Sequence, residues 1–195
     1  MLSFAAASCL MMATPGPGVL TTAGIGSGFG WNAGIRFLIG LFIGTNLAAL
    51  LVISGLTAIV LAEPLVRTVL VWASILWFLK LALGIALAGA KVGFMAAPRA
   101  PRLHDGVILQ LINPKAYAVN TILFGGFAFW DHGIAEIVVK LVIINAFWVP
   151  IHLAWLWAGV AIGSLNLAPQ RQRAINIAMA ASLMGVVALS AWEML

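Results

Sequence analysis

Long runs of apolar residues, broken by few charges, extend through this chain from end to end. Hydrophobic residues make up 64% of the chain and charged residues 8%, whereas soluble domains are near half apolar and a quarter charged. A soluble domain of 195 residues could not bury this much apolar surface in its own core. A helix needs about 20 apolar residues to cross a bilayer, so the length allows about six spans. We therefore predict an all-α integral membrane protein.

Polar and turn residues divide the apolar sequence into six segments. The runs are continuous rather than alternating, which argues against the strands of a membrane barrel. The first segment has no basic residues of the kind that open a cleavable signal peptide, so we assign it to the first span. We expect the fifth segment, which is longer than a bilayer requires, to tilt or to bend near Pro150. The predicted spans are residues 2–25, 35–62, 65–90, 106–130, 134–165 and 174–194.

The sequence repeats itself at an offset of 99 residues. Residues that are rare in the chain match at this offset, among them Pro15 with Pro114, Trp31 with Trp130 and Asn46 with Asn145. Each copy holds three spans, so the second copy enters the membrane from the opposite side. A three-plus-three inverted repeat is an architecture of secondary transporters. We predict a single transmembrane domain over residues 1–195, with one repeat at about 1–90, a linker at about 91–105 and a second repeat at about 106–195.

Basic residues near the span ends predict the orientation of the protein. One side of the predicted membrane has six of them and the other side has two, and the side richer in Lys and Arg faces the cytoplasm. The linker is then cytoplasmic and both termini lie outside. The basic residues are too scattered to favour a nucleic-acid partner. We expect the lipid bilayer as the partner, and a homo-oligomer is an open possibility. The six are Arg36, Lys91, Arg99, Arg102, Arg171 and Arg173, and the two are Arg67 and Lys140.

Prolines interrupt the first and the fourth predicted spans near mid-bilayer. Pro15, Pro17 and Pro114 each lack the N–H that would bond a carbonyl one turn earlier, which for Pro114 is the carbonyl of Gln110. A freed carbonyl is costly in lipid unless it faces protein or a water-filled cavity. The half-helices that begin at these prolines would present positive dipole ends to such a cavity, which suits a carboxylate. A packing kink explains either break alone, but two breaks at equivalent positions of the repeat favour a binding site.

Basic and amide side chains lie at similar predicted depth. Lys80 and Lys115 are too far from a span end to reach water, and a transported carboxylate would be their counter-anion, with Lys80 as a second anion contact or a proton carrier. A hydrogen bond to a freed carbonyl is the alternative for each lysine. Asn46 and Asn145 are expected either to bond the substrate or to join two helices. A lone histidine such as His152 is more often a packing residue. All acidic residues fall at predicted span ends, so we expect the buried charge to be basic only.

Other motifs exclude most enzyme classes. A single cysteine excludes an internal disulfide and a Cys-rich metal site. No acid–base or metal constellation is visible, so we expect no enzymatic activity, no cofactor and no metal. Two GxxxG runs, Gly40-x-x-x-Gly44 and Gly159-x-x-x-Gly163, predict close packing between helices.

Three motifs together resemble the LysE/RhtB family of amino-acid exporters. They are Thr14-Pro15-Gly16-Pro17 in the first span, Gly40-x-x-x-Gly44 in the second, and Asn113-Pro114-Lys115 opening the fourth. The resemblance covers nearly the whole chain, including the basic loop after the third span. It implies a bacterial inner-membrane carrier that expels amino acids, generally with the proton gradient. The residues that the resemblance implies for the site are Thr14, Pro15, Gly16, Pro17, Asn113, Pro114 and Lys115.

Two departures from the family pattern narrow the expected substrate. Gly18 and Thr45 stand where the family often has a polar or acidic residue. A substrate with a basic side chain needs a carboxylate partner in the site, so the missing acidic residues argue against lysine and arginine as substrates. Two other functions stay open from the sequence. One is a passive channel for small solutes, and the other is a non-transporting scaffold subunit that pairs through its GxxxG faces.

Overall fold

In the computed structural model, every regular element of the described residues is an α-helix. The structure describes residues 1–55, 100–129, 133–165 and 167–194, with isolated positions between 62 and 83. The expectation of an all-helical chain is confirmed for this part. The helices that can be followed with their bounds are α1 (Leu2–Ala13), α2 (Pro17–Ile53), α3 (Leu103–Leu111), α4 (Pro114–Gly125), α5 (Ile134–Ser164) and α6 (Pro169–Met194).

Two of these helices, α2 and α5, are long and apolar enough to cross a bilayer. A third candidate span is the pair α3 and α4, which are bent by 64° at the break between them. The predicted fourth span therefore begins earlier than expected, since α3 starts at Leu103 within the predicted linker. The predicted sixth span lies within α6, whereas most of the predicted third span, 65–90, lies outside the described residues. These candidate spans are those of a membrane protein.

The chain reverses direction at Gly30, inside α2. Gly30 has φ 76 and ψ −174, a backbone conformation that glycine adopts without a steric cost. Gly18 lies against Leu41, although 23 residues in a continuous helix span roughly 35 Å. The first half of α2 (residues 17–29) and its second half (31–53) are therefore antiparallel. The loop expected between the first two spans is reduced to this single residue.

Both GxxxG runs are points of close helix contact, as the sequence predicts. A Cβ on Gly159 would overlap the carbonyl group of Ala23, and one on Gly163 would overlap that of Ser27. The later residue of one helix contacts the later residue of the other, so the first half of α2 runs parallel to α5. The run at Gly40-x-x-x-Gly44 packs equally closely on α3.

The face of α5 that packs inward is the polar one. The helix runs through Pro150 as one element. On its inner face Trp148 meets Phe42 edge-on, with ring centres 5.3 Å apart. Exposed valines line the opposite face, at Val138 and Val142 among others. The buried residues recur every three or four positions and are Glu136, Lys140, Ile144, Trp148, His152, Leu156 and Gly159.

A buried ion pair corrects the expectation that buried charge is basic only. The Lys140 ammonium lies 2.6 Å from a carboxylate oxygen of Glu136, and both side chains are 3% exposed. Glu136 also accepts a hydrogen bond from the Phe129 amide at 3.2 Å, and Lys140 donates to the Phe127 carbonyl. The Lys140 ammonium lies 5.9 Å from the ring centre of Phe4. Glu136 is at a span end, as predicted, but protein covers it.

Replacing Gly159 by alanine should destabilise the fold, because the added methyl group meets backbone and not a flexible side chain. Overpacking of this kind costs about 1–3 kcal/mol. The matched control is Gly185→Ala in α6, where no described residue lies within 4 Å of the added atom and alanine favours the helix. Thermal unfolding of both variants in detergent checks the prediction. Equal unfolding temperatures for the two would contradict the contact between α5 and the first half of α2.

Candidate functional site

The two predicted breaks face each other across one cavity. α1 ends at Ala13 and α2 begins at Pro17, while α3 ends at Leu111 and α4 begins at Pro114. The cavity between them has a volume of about 50 Å³. Its lining includes the first turns of both α2 and α4. Four helix ends, two of them N-termini, therefore border one cavity.

Side chains and backbone groups satisfy carbonyls at the breaks. The backbone carbonyl of Gln110, expected to be free, accepts a hydrogen bond from the backbone N–H of Asn113 at 3.2 Å. The Leu111 carbonyl accepts the Tyr117 hydroxyl at 2.7 Å. The Thr14 carbonyl, at the other break, accepts the ammonium group of Lys115 at 2.6 Å. The sequence identified the positions of the breaks but not these partners.

Lys115 connects the two breaks. Its side chain starts in the first turn of α4 and ends at the Thr14 carbonyl, which is the structural role weighed for it from the sequence. A Cβ on Gly16 would lie 2.9 Å from Lys115 Cδ, so glycine leaves room for the lysine there. An ammonium group has three N–H donors, and the Thr14 carbonyl uses one. Lys115 can therefore keep this bond and still contact an anion in the cavity.

The N-terminus of α2 opens toward the cavity without a capping side chain. Its N-cap residue is Gly16, which has no side chain, and Pro17 follows at the first helical position. Gly18 and Val19, whose N–H groups point out of the first turn, both line the cavity. Uncapped N–H groups and the positive end of a helix dipole are chemically suited to an anion.

A network of buried amides holds the α3–α4 break against α2. Asn113 caps α4, because its side-chain Oδ1 accepts a hydrogen bond from the backbone N–H of Lys115 at 3.2 Å. The Asn113 side chain donates to the Gln110 side chain at 3.1 Å, which in turn donates to the Thr45 hydroxyl at 2.9 Å. The Thr45 hydroxyl donates to the Leu41 carbonyl at 2.9 Å. From the sequence, Thr45 was notable only as a departure from the family pattern, and no motif pointed to the Gln110 side chain.

His152 lines the cavity and is also a packing residue, as predicted. Its ring stacks on Trp148 with centres 3.8 Å apart, and Nδ1 lies 2.9 Å from the Trp148 carbonyl. A carbonyl only accepts, so Nδ1 must be the donor. In the neutral ring Nε2 is then an acceptor, and it lies on the side of Gly18.

Asn120 is a cavity residue that the sequence analysis did not identify. It is 2% exposed, and its Nδ2 donates to the Ala116 carbonyl at 2.7 Å. Its Oδ1 has no hydrogen-bond partner among the described residues. Asn113, Ala116 and Asn120 follow the helical spacing of one face of α4, and this spacing is the signal that would have found it.

The other predicted site residues lie away from the cavity or outside the described residues. Asn46 and Asn145 bond each other through both amides, at 3.3 and 2.9 Å, and neither lines the cavity. They have the helix-joining role that the sequence left open, and a substrate contact stays a prediction. Thr14 and Gly16 line the cavity beside Pro17, whereas Pro15 is exposed at the break. Lys80 lies outside the described residues.

Comparison with protein-family models, curated proteins and solved structures gives no match to this chain. The resemblance to the LysE/RhtB family therefore depends on the three motifs. In the described part of the chain, no three His, Cys, Asp or Glu side chains are grouped as a metal site requires. The cavity lining there contains one lysine, one histidine and no acidic residue.

Proposed function

We propose that this chain is a bacterial inner-membrane exporter of amino acids or related small carboxylate-bearing metabolites, driven by the proton gradient. One observation carries the proposal. Two broken helices converge on a single cavity, where the α2 N-terminus, the α4 N-terminus and the Lys115 ammonium group are the positive groups. Half-helix N-termini of this kind hold the carboxylates of substrates in secondary transporters. The lack of acidic side chains in the described lining favours a substrate that is not a cation.

Contacts between equivalent positions support a three-plus-three inverted repeat of six spans. Asn46 and Asn145, which are 99 residues apart, bond each other. Gly16 and Lys115 are also 99 residues apart, and they touch at the breaks. A residue can contact its own equivalent only near the axis that relates the two copies. The second half of α2 and α5 are antiparallel where Asn46 meets Asn145, which is the relation that inverted copies of one span must have.

The same contacts suggest how the site opens alternately to the two sides. Bonds between Asn46 and Asn145 and between Gln110 and Thr45 join the two repeats near the proposed axis. Rocking of one repeat against the other would turn about these bonds while the cavity stays near the axis. A carboxylate bound at the α2 N-terminus would accept one of the two N–H groups of Lys115 that the Thr14 carbonyl leaves unused. The proposal includes Lys80 as a second anion contact or proton carrier.

The proposed orientation has both termini outside and the linker at about 91–105 in the cytoplasm. It follows from the excess of Lys and Arg on the linker side. Reporter fusions after Pro101 and after Leu195 measure it directly. A cytoplasmic signal from the fusion at Leu195 would reverse the orientation, and with it the proposed direction of export.

Efflux from proteoliposomes tests the function. Vesicles that contain the purified protein are loaded with a panel of labelled amino acids, and initial efflux is measured with and without a proton gradient. We expect saturable efflux of at least one amino acid, faster with the gradient, and no efflux from vesicles without protein. Flux that neither saturates nor responds to the gradient would identify a channel. Absence of flux for the whole panel would favour the scaffold role.

A further inference from the structure

One fully buried polar atom of a cavity residue has no partner in the described part of the chain. Four buried side-chain oxygen atoms there accept or donate no hydrogen bond, and they belong to Ser8, Thr21, Ser27 and Asn120. Asn120 is the member of this group that lines the cavity. A buried carbonyl oxygen without a donor is costly, so the cavity is incomplete at this point.

The orientation of the Asn120 amide is determined by its helix. Nδ2 donates to the Ala116 carbonyl at 2.7 Å, one turn earlier. Turning the amide over would place Oδ1 against that carbonyl oxygen, and two acceptors cannot bond each other. Oδ1 is therefore the atom without a partner, and it needs a hydrogen-bond donor.

The open oxygen belongs to a residue that lines the same cavity as the α2 N-terminus and Lys115. Side chains in helices lean toward the N-terminus, and the bond to Ala116 holds the Asn120 amide beside the first turns of α4. The α2 N-terminus and Lys115 border the same cavity. In an α-amino acid the ammonium group is one carbon away from the carboxylate. The donors nearby in the network, Asn113 and Gln110, already bond other groups.

We propose that Asn120 Oδ1 accepts a hydrogen bond from the α-ammonium group of the substrate, while the α2 N-terminus and Lys115 hold the carboxylate. This deepens the proposed function, on which it rests, by naming the residue that distinguishes an amino acid from a plain carboxylate. A ligand that lacks the amino group would leave Oδ1 buried without a donor. Sites that bond a substrate N–H reject analogues that lack it far more strongly than apolar pockets reject a missing methylene.

Binding to the purified full-length protein in detergent tests this assignment. Dissociation constants come from ligand-induced shifts in unfolding temperature for three matched pairs: alanine and propionate, leucine and 4-methylpentanoate, phenylalanine and 3-phenylpropionate. For the pair that binds best, we expect the amino acid to bind at least tenfold more tightly than its analogue. Asn120→Leu should remove this preference, because it weakens binding of the amino acid and leaves binding of the analogue unchanged. Ser8→Ala, which removes an unpartnered buried hydroxyl away from the cavity, should preserve it.

The outcomes separate this inference from the export proposal. Equal binding of amino acid and analogue, binding of neither, or a preference that survives in Asn120→Leu would overturn the role of Asn120. Amino-acid preference in binding without efflux from proteoliposomes would reject export and leave the role of Asn120 intact. If Asn120→Leu does not fold, Asn120→Ala removes the same oxygen without adding apolar bulk and must also lose the preference.

Discussion

Lys115→Met should lower the initial efflux rate per inserted protein by more than tenfold. A hydrogen bond to a charged group contributes about 1.5–3 kcal/mol, and 1.4 kcal/mol is one decade in an equilibrium constant. Insertion should not suffer, since a lysine at mid-membrane costs about 2.5–3.5 kcal/mol that methionine does not. The measurement is efflux from proteoliposomes, normalised to the amount of inserted protein.

The control is Lys91→Met, the same change at a lysine that the sequence assigns to the cytoplasmic end of the third span. Its efflux should stay near that of the parent. Normal transport by Lys115→Met would show that the carboxylate does not depend on this ammonium group. Loss of folding would instead show that the bond to the Thr14 carbonyl is the main role of Lys115.

The breaks and the close contacts were predictable because local chemistry decides them. Pro17 and Pro114 occupy first helical positions, where a missing N–H costs nothing, so each begins a new helix. Gly159 and Gly163 lack side chains, so a neighbouring helix can approach their backbone. These rules act within a few residues and can be applied to a sequence directly.

Contacts between segments that are far apart in the sequence were not predictable in the same way. Glu136 and Lys140 have the i,i+4 spacing of a helix pair, but the spacing does not say whether the pair faces water or protein. The aromatic residues that cover it come from α1 and from the segment after α4, far apart in sequence. Asn120 is similar, since its importance comes from a cavity whose other walls belong to α1, α2, α3 and α5.

Composition alone does not identify Gly30 as the residue at which the chain reverses direction. The region from Gly24 to Gly30 is glycine-rich, and several of its residues could have adopted a positive φ. The structure uses Gly30, whose Cβ position has no neighbour within 4 Å in the described part of the chain, whereas Gly26 packs against the Leu156 carbonyl. Packing against α5 therefore decides which glycine turns the chain.

Lys140→Met should destabilise the fold more than any other single change considered for this protein. Removing one partner of a buried ion pair costs about 3–5 kcal/mol, because the remaining charge stays buried. Glu136 and Lys140 are each 3% exposed, so the charge that remains would be almost entirely covered by protein. The Lys140 ammonium also lies 5.2 Å from the ring centre of Phe129, a contact that methionine weakens.

The double variant Glu136→Gln, Lys140→Met separates charge from packing. Glutamine keeps an oxygen that can accept the Phe129 amide but has no charge to bury. If the uncompensated carboxylate is the cause, the double variant should unfold at a higher temperature than Lys140→Met alone. Arg36→Met, at an exposed residue, is the control and should stay within about 0.5 kcal/mol of the parent. Additive losses in the double variant would show that the two side chains act through separate contacts, and that their 2.6 Å approach contributes little to stability.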